Sequence, residues 1–292
     1  MSRLPFLFAV LSTHAAAFDP DLALKMAYLE KSVYCGQERF DRWDVGDSIA
    51  FGPEVDTDHL SLIENSDTKC IVGVGRMFEP QGCFVAIHGT TGNWYLDGEF
   101  LHKSYDRAGC KDKRCKVFQG FLHGWESVRD QVRGNITAMG CDNQPLYLVG
   151  HSLGAAMLHF AMLEMLHDSL DVRVVYALES PRVGNDVWSD VVQDAVQGRD
   201  IWRVVHHKDI VPHVPPRDLP FGLQYTHALR EIFFPNHTGV DYVECGIEDP
   251  KCSDQYYWWE GQPSEHCWFA DLDPCHCTNH TKTAPGHSSV IV

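Results

Sequence analysis

Apolar residues alternate along this chain between two rhythms. Short β-branched and aromatic runs predict strands at Ile71 to Val74, Cys83 to Ile87, Pro145 to Val149, Val172 to Leu178 and Ile201 to Val205. A turn near Pro80-Gln81-Gly82 joins the first two. Ala23 to Glu38, Val117 to Arg133 and Ala155 to Leu166 predict helices, with Phe121, Trp125 and Val128 at helical spacing in the second. Nearly continuous apolar strands alternating with helices predict an α/β fold: a mainly parallel central sheet with helices on both faces. The chain has 292 residues, 44% of them hydrophobic, and no repeat or long linker. That fits one domain around one large core. In such a sheet reactive groups gather beyond the carboxyl ends of the strands. Ser152, Ser180 and Asp209 all fall just after predicted strands.

The first residues read as processing signal. Arg3 supplies a positive charge, Leu4 to Leu11 a short apolar block, and Ala15-Ala16-Ala17 small residues for cleavage after Ala17. Residues 1–17 are therefore expected to be a signal peptide and 18–292 one domain with a Cys-rich C-terminal tail. No stretch has transmembrane length. Eleven cysteines fit an oxidising compartment, and the odd number leaves at least one thiol free or paired elsewhere. Cys110 with Cys115, and Cys245 with Cys252, are close enough for local clips. Cys35 could be stapled to the cluster of Cys267, Cys275 and Cys277, which with His276 and His280 also admits zinc, although two C-x-x-C knuckles are lacking. Asn135-Ile-Thr137, Asn236-His-Thr238 and Asn279-His-Thr281 are glycosylation sequons. A secreted protein is the expectation. A formal charge of −16 argues against nucleic acid and anionic membrane surfaces as partners and leaves neutral substrates.

The candidate chemistry sits in Tyr147 to Ala156, YLVGHSLGAA. Gly150-His151-Ser152-Leu153-Gly154 is a G-x-S-x-G pentapeptide between a strand and a helix, the context of a nucleophile elbow. A serine hydroxyl needs a base to take its proton and a carboxylate to orient that base. Asp209, ending a strand in His206-His207-Lys208-Asp209-Ile210-Val211-Pro212, can be that carboxylate or a turn residue accepting local hydrogen bonds; chemistry alone leaves both open. Backbone amides of Leu153, after the serine, and of Thr90, in His88-Gly89-Thr90-Thr91, are candidates for an oxyanion hole.

These blocks, in this order, resemble the class 3 (fungal-type) triacylglycerol lipases, a family that includes feruloyl esterases. The matching segments are Phe84 to Thr90 with Asn93-Trp94, Val117 to Phe121, Val149 to Ala156, Ser180-Pro181-Arg182-Val183-Gly184-Asn185, and Lys208 to Pro216. The resemblance runs from about Ala23 to at least Phe269. It implies an α/β-hydrolase fold, with Ser152 as nucleophile, Asp209 as triad acid, and Thr90 with Leu153 as oxyanion hole. For the triad histidine it offers His266, in Ser264-Glu265-His266-Cys267-Trp268-Phe269, and the alternative His287, in Pro285-Gly286-His287-Ser288. His88 departs from the family, which usually carries arginine there. Thr91 to Lys103, mixing apolar and charged residues, occupies the place of a lid.

What the resemblance implies is a secreted serine hydrolase that cleaves carboxylic esters through an acyl-enzyme, a triacylglycerol lipase in lipid catabolism, with no cofactor or metal. A feruloyl-type or small-ester esterase keeps the same machinery. A catalytically inactive lipid-binding protein is the reading from another class. Substrate and partner are expected to be a neutral lipid or small ester, or a lipid–water interface.

Overall fold

The structure is a computed structural model and describes residues 17–89, 101–236, 241–270 and 272–277. Eight strands form one sheet whose spatial order is its chain order. They are β1 (Glu54–Glu64), β2 (Ile71–Glu79), β3 (Gly82–Ile87), β4 (Leu146–His151), β5 (Val172–Leu178), β6 (Asp200–His206), β7 (Glu231–Phe234) and β8 (Val243–Cys245). From β3 to β7 every neighbouring pair is parallel; β1, β2 and β8 add antiparallel edges.

Parallel neighbours need crossovers, and the helices supply them. Helices α2 (Gln119–Ala138) and α3 (Leu153–His167) bracket β4, and α4 (Asp186–Val196) links β5 to β6. Helix α1 (Pro20–Val33) covers the opposite face. Alternating strand positions divide between two cores. Val85, Ile87, Leu148, Val175 and Ala177 pack with α2 and α3, while Phe84, Ala86, Val149, Tyr176 and Leu178 pack with α1. Burial on both faces explains why these strands read as unbroken apolar runs.

Two predicted helices are corrected at their ends. The segment starting at Ala23 stops at Val33 rather than Glu38, because Gly36 turns the chain at φ 75° before a short separate helix, Gln37–Asp41. Val117 belongs to a two-stranded ribbon pairing 102–104 with 116–118, so α2 starts at Gln119.

Five disulfides are present: Cys35–Cys277, Cys83–Cys141, Cys110–Cys115, Cys245–Cys252 and Cys267–Cys275. Cys70 is the buried thiol left over. Cys35–Cys277 joins the end of α1 to the C-terminal tail across 242 residues. The sulfurs that a zinc site would need are in these bonds. No helix among the described residues is long and apolar enough to cross a membrane.

Candidate active site

One residue separates β4 from α3, and that residue is Ser152. It reverses the chain at φ 57°, ψ −124°, a strained conformation for a side chain with a Cβ. Its amide donates to Leu178 O (2.9 Å), which ties the turn to β5. The turn is this tight because strand, serine and helix crowd together. A Cβ on Gly150 would lie 2.7 Å from Gly154 O, and one on Gly154 would lie 2.7 Å from His88 O. Leu153 opens α3, so its amide belongs to the first turn, whose N–H groups have no partner within the helix.

Asp209 lies three residues beyond the end of β6 and is fully buried. Its Oδ1 accepts the Val211 amide (2.9 Å). The loop that carries it is anchored from the Ser180–Asn185 block. Arg182 donates to Pro215 O (3.2 Å), its own amide donates to Val214 O, and its guanidinium is held by Glu248 through two 2.8 Å hydrogen bonds. The two sequence blocks therefore form one unit.

His266 arrives from the tail. A short turn, Pro263–Glu265, presents it, and the Gln262 amide donates to Lys208 O (2.7 Å), fixing this segment to the Asp209 loop. Cys267, the next residue, is bonded to Cys275. His266 Nδ1 lies 2.7 Å from Asp209 Oδ2, and its Nε2 lies 2.7 Å from Ser152 Oγ. With Nδ1–H donating to the carboxylate, Nε2 is free to accept the serine proton.

The electrostatics favour this arrangement. Burial alone would raise Asp209, but His266, by charge and hydrogen bond, and the Val211 amide hold it below the usual carboxylate range. Burial lowers His151 to about 3, so its ring stays neutral. His151 Nε2 lies 2.9 Å from His266 O, bracing the triad histidine through its backbone. Burial likewise lowers His88 to about 4. That ring stacks on Tyr34 with centroids 3.7 Å apart, and Tyr34 Oη accepts the Gly89 amide (3.1 Å). A neutral ring packed on an aromatic thus stands where the family usually has a guanidinium.

A buried serine, a half-buried imidazole and a buried carboxylate in hydrogen-bonded line at the carboxyl edge of a parallel sheet define a hydrolase-like site. Residues 84–219 match the family model "Lipase (class 3)". Over that segment, just under half of its length, the chain is similar to the class 3 lipases. The chain is 32% identical over 182 residues to secreted mono- and diacylglycerol lipase 1 of Fusarium solani, covering 60% of this chain and 52% of that protein. The match thus spans about half the length of that relative. Secreted mono- and diacylglycerol lipase MDL2 of Malassezia globosa is 25% identical over 294 residues, covering 84% of this chain and 91% of that one. Lipase II from Rhizopus niveus shares the fold, with a TM-score of 0.75 at 22% identity over 89% of this chain and 97% of that one. The α/β-hydrolase fold is therefore common to this chain and that solved structure.

Of the residues singled out in the sequence, the structure brings together Ser152, Asp209, His266 and Leu153. Thr90 and His287 lie outside the described residues, as does residues 91–100 of the lid segment. Ser180, also at this edge, donates to Pro181 O and does not reach the triad. Two groups at the site carry no motif signal: Tyr34, beneath Gly89, and Glu179, after β5. A polar residue ending an apolar strand was the available sign for Glu179.

Proposed function

We propose that this protein is a secreted serine esterase that hydrolyses carboxylic esters of neutral lipids, with Ser152 as nucleophile, His266 as base and Asp209 as its orienting acid. The observation that carries the reading is the 2.7 Å spacing on both sides of the His266 ring. Ser152 Oγ attacks the ester carbonyl while Nε2 takes its proton. The resulting oxyanion is held by the Leu153 amide and, in this reading, by Thr90. Nε2 returns the proton to the departing alcohol, leaving an acyl-serine. Water, deprotonated by the same nitrogen, then releases the fatty acid. Asp209 holds the tautomer and stabilises the imidazolium.

The lipase relatives favour a lipid acyl chain. Secretion fits relatives named as secreted and five disulfides. The test uses purified, oxidised protein. A fluorophosphonate should label the parent and not Ser152→Ala, and hydrolysis of mono-, di- and triacylglycerol should fall to background in that variant. Undiminished turnover in Ser152→Ala would overturn the proposal, and activity confined to aryl esters would move the substrate to the feruloyl type.

A further inference from the structure

Beneath the triad lies a carboxyl group that the reaction above does not use. Glu179 follows β5 and is 2% exposed. Its backbone sits at φ 50°, in the left-handed region that favours glycine. A bulky acid therefore occupies a position where the backbone gains nothing from it, and its side chain must supply the reason. Its Oε1 accepts the His206 amide at 2.8 Å, and its own amide donates to Val204 O. Its Oε2 is buried and meets no donor. The Asp209 carboxyl nonetheless lies within hydrogen-bonding reach of it.

Two carboxylates are both acceptors and cannot form a hydrogen bond unless one of them carries a proton. Asp209 already faces the His266 ring and accepts the Val211 amide, contacts that suit an anion. The proton therefore belongs on Glu179. The oxygen without a donor is the one that itself donates.

Resting on the triad reading above, we propose that Glu179 is a positioning residue of the catalytic site: as a neutral carboxylic acid it donates a hydrogen bond to Asp209 and fixes the carboxylate that orients His266. This arrangement gives Asp209 a further hydrogen bond without placing a second negative charge under the imidazole. Burial first, and then the neighbouring Asp209 charge, push Glu179 well above the usual carboxylate range. The other titratable groups facing the pair are His266 on the tail, Arg203 on β6, His213 in the loop after Asp209 and His151 ending β4. His151 and His213 are held neutral by burial, at about 3 and about 4. Arg203 is engaged by Glu231, and Glu265 faces the His206 and His207 rings.

Infrared difference spectra of intact enzyme at neutral pH, parent against Glu179→Gln, test the protonation state independently of any chemistry at Ser152. Loss of a carboxylic-acid carbonyl band in the variant is expected; loss of a carboxylate band would overturn the proposal. Kinetics test the positioning. Glu179→Leu removes both the acceptor for His206 and the donor to Asp209. Its kcat should fall ~10- to 100-fold with KM little changed, the range for one hydrogen bond to a charged group. Glu179→Gln, which supplies an amide donor in the same place without charge, should recover most of that loss and leave the acid limb of the kcat/KM profile unmoved. Parental kcat in Glu179→Leu, or an acid limb shifted in Glu179→Gln, would refute it. If Glu179→Leu does not fold, the spectral result and the Glu179→Gln profile decide between the same two outcomes.

Discussion

Gly154→Ala sets helix propensity directly against packing. Alanine is favoured over glycine inside a helix by about 1 kcal/mol, so local reasoning predicts a more stable protein. The fold predicts the reverse. An added Cβ would lie 2.7 Å from His88 O and closer still to Ile87 O, whereas ordinary contact begins at 3.4 Å. Relief against the His88 oxygen alone requires α3 and the end of β3 to separate by about 0.7 Å. Both opposing atoms are backbone, at a strand paired on each side, so neither can swing away. Overpacking of this kind costs ~3 kcal/mol, the upper part of the usual range. Less the propensity gain, the net loss is ~2 kcal/mol, or a fall in Tm of roughly 4–8 °C for a domain of this size. Because α3 carries the Leu153 amide and begins at Ser152, the same displacement should lower kcat by ~10- to 100-fold. Gly134→Ala is the control. That glycine is exposed within α2, and a Cβ there would meet nothing within 4 Å. It should gain ~0.5–1 kcal/mol. Denaturant unfolding of both variants, with turnover of a soluble ester, reads the two effects. Gly154→Ala as stable as the parent, or both substitutions shifting stability in the same direction, would refute the reasoning.

Asp209→Asn should leave the fold intact but present an amide N–H to His266 Nδ1 and favour the wrong tautomer. In a Ser-His-Asp site that costs ~10,000-fold in kcat with KM little changed, and a loss under about tenfold would argue against Asp209 as the orienting acid. Stability should also fall in mild acid. Burial lowers His159 in α3 to about 4, and its Nδ1 lies 2.8 Å from Ala155 O. Unfolded histidine titrates near ~6.5, so between those values the unfolded chain binds a proton that the folded chain refuses. The contribution is complete above the unfolded value, declines as pH falls towards about 4, and is constant below it. His159→Met should flatten this part of the stability–pH curve by up to ~3 kcal/mol in urea unfolding; an unchanged slope would mean that His159 is not held neutral.

The sheet and the elbow were legible because their signals are local. Apolar strand runs, helical spacing and the G-x-S-x-G pentapeptide each report on a few neighbouring residues, and burial on both faces makes the strands unmistakable. β1 was not legible: Glu54 to Glu64 carries acids and a histidine through its middle, and its pairing with β2 is interrupted by a register shift between Asp56 and Leu60. β7 was hidden by shortness. Its Glu231 looks like a surface residue in sequence, yet it is fully buried and paired with Arg203 on β6. The Cys83–Cys141 bond was equally silent, since 58 residues separate its ends and only the folded sheet brings β3 to the turn after α2. Ser152 and Asp209 could be found from motif and strand end. His266 is preferred to His287 on the family resemblance, because a triad histidine that follows no strand or helix carries no local signal of its own.

That difference reflects how the site is assembled. Ser152 and Asp209 stand at the ends of β4 and β6, two strands apart in a parallel sheet, so backbone hydrogen bonding alone sets their separation to within the sheet's regularity. No strand delivers His266. Its position comes from several weaker constraints that converge on one ring: the Gln262 amide on Lys208 O, the Cys267–Cys275 bond, the His151 ring at its carbonyl, and Glu265 buried against His206 and His207. Cys35–Cys277 then closes the tail onto α1. A segment with little regular structure has few internal hydrogen bonds to hold one conformation, and would otherwise lose much of the orientation that proton transfer requires. The crosslinks and buried acid thus do for the imidazole what the sheet does for the serine and the carboxylate. In this chain the disulfide framework belongs to the catalytic geometry as much as to the stability of a secreted fold.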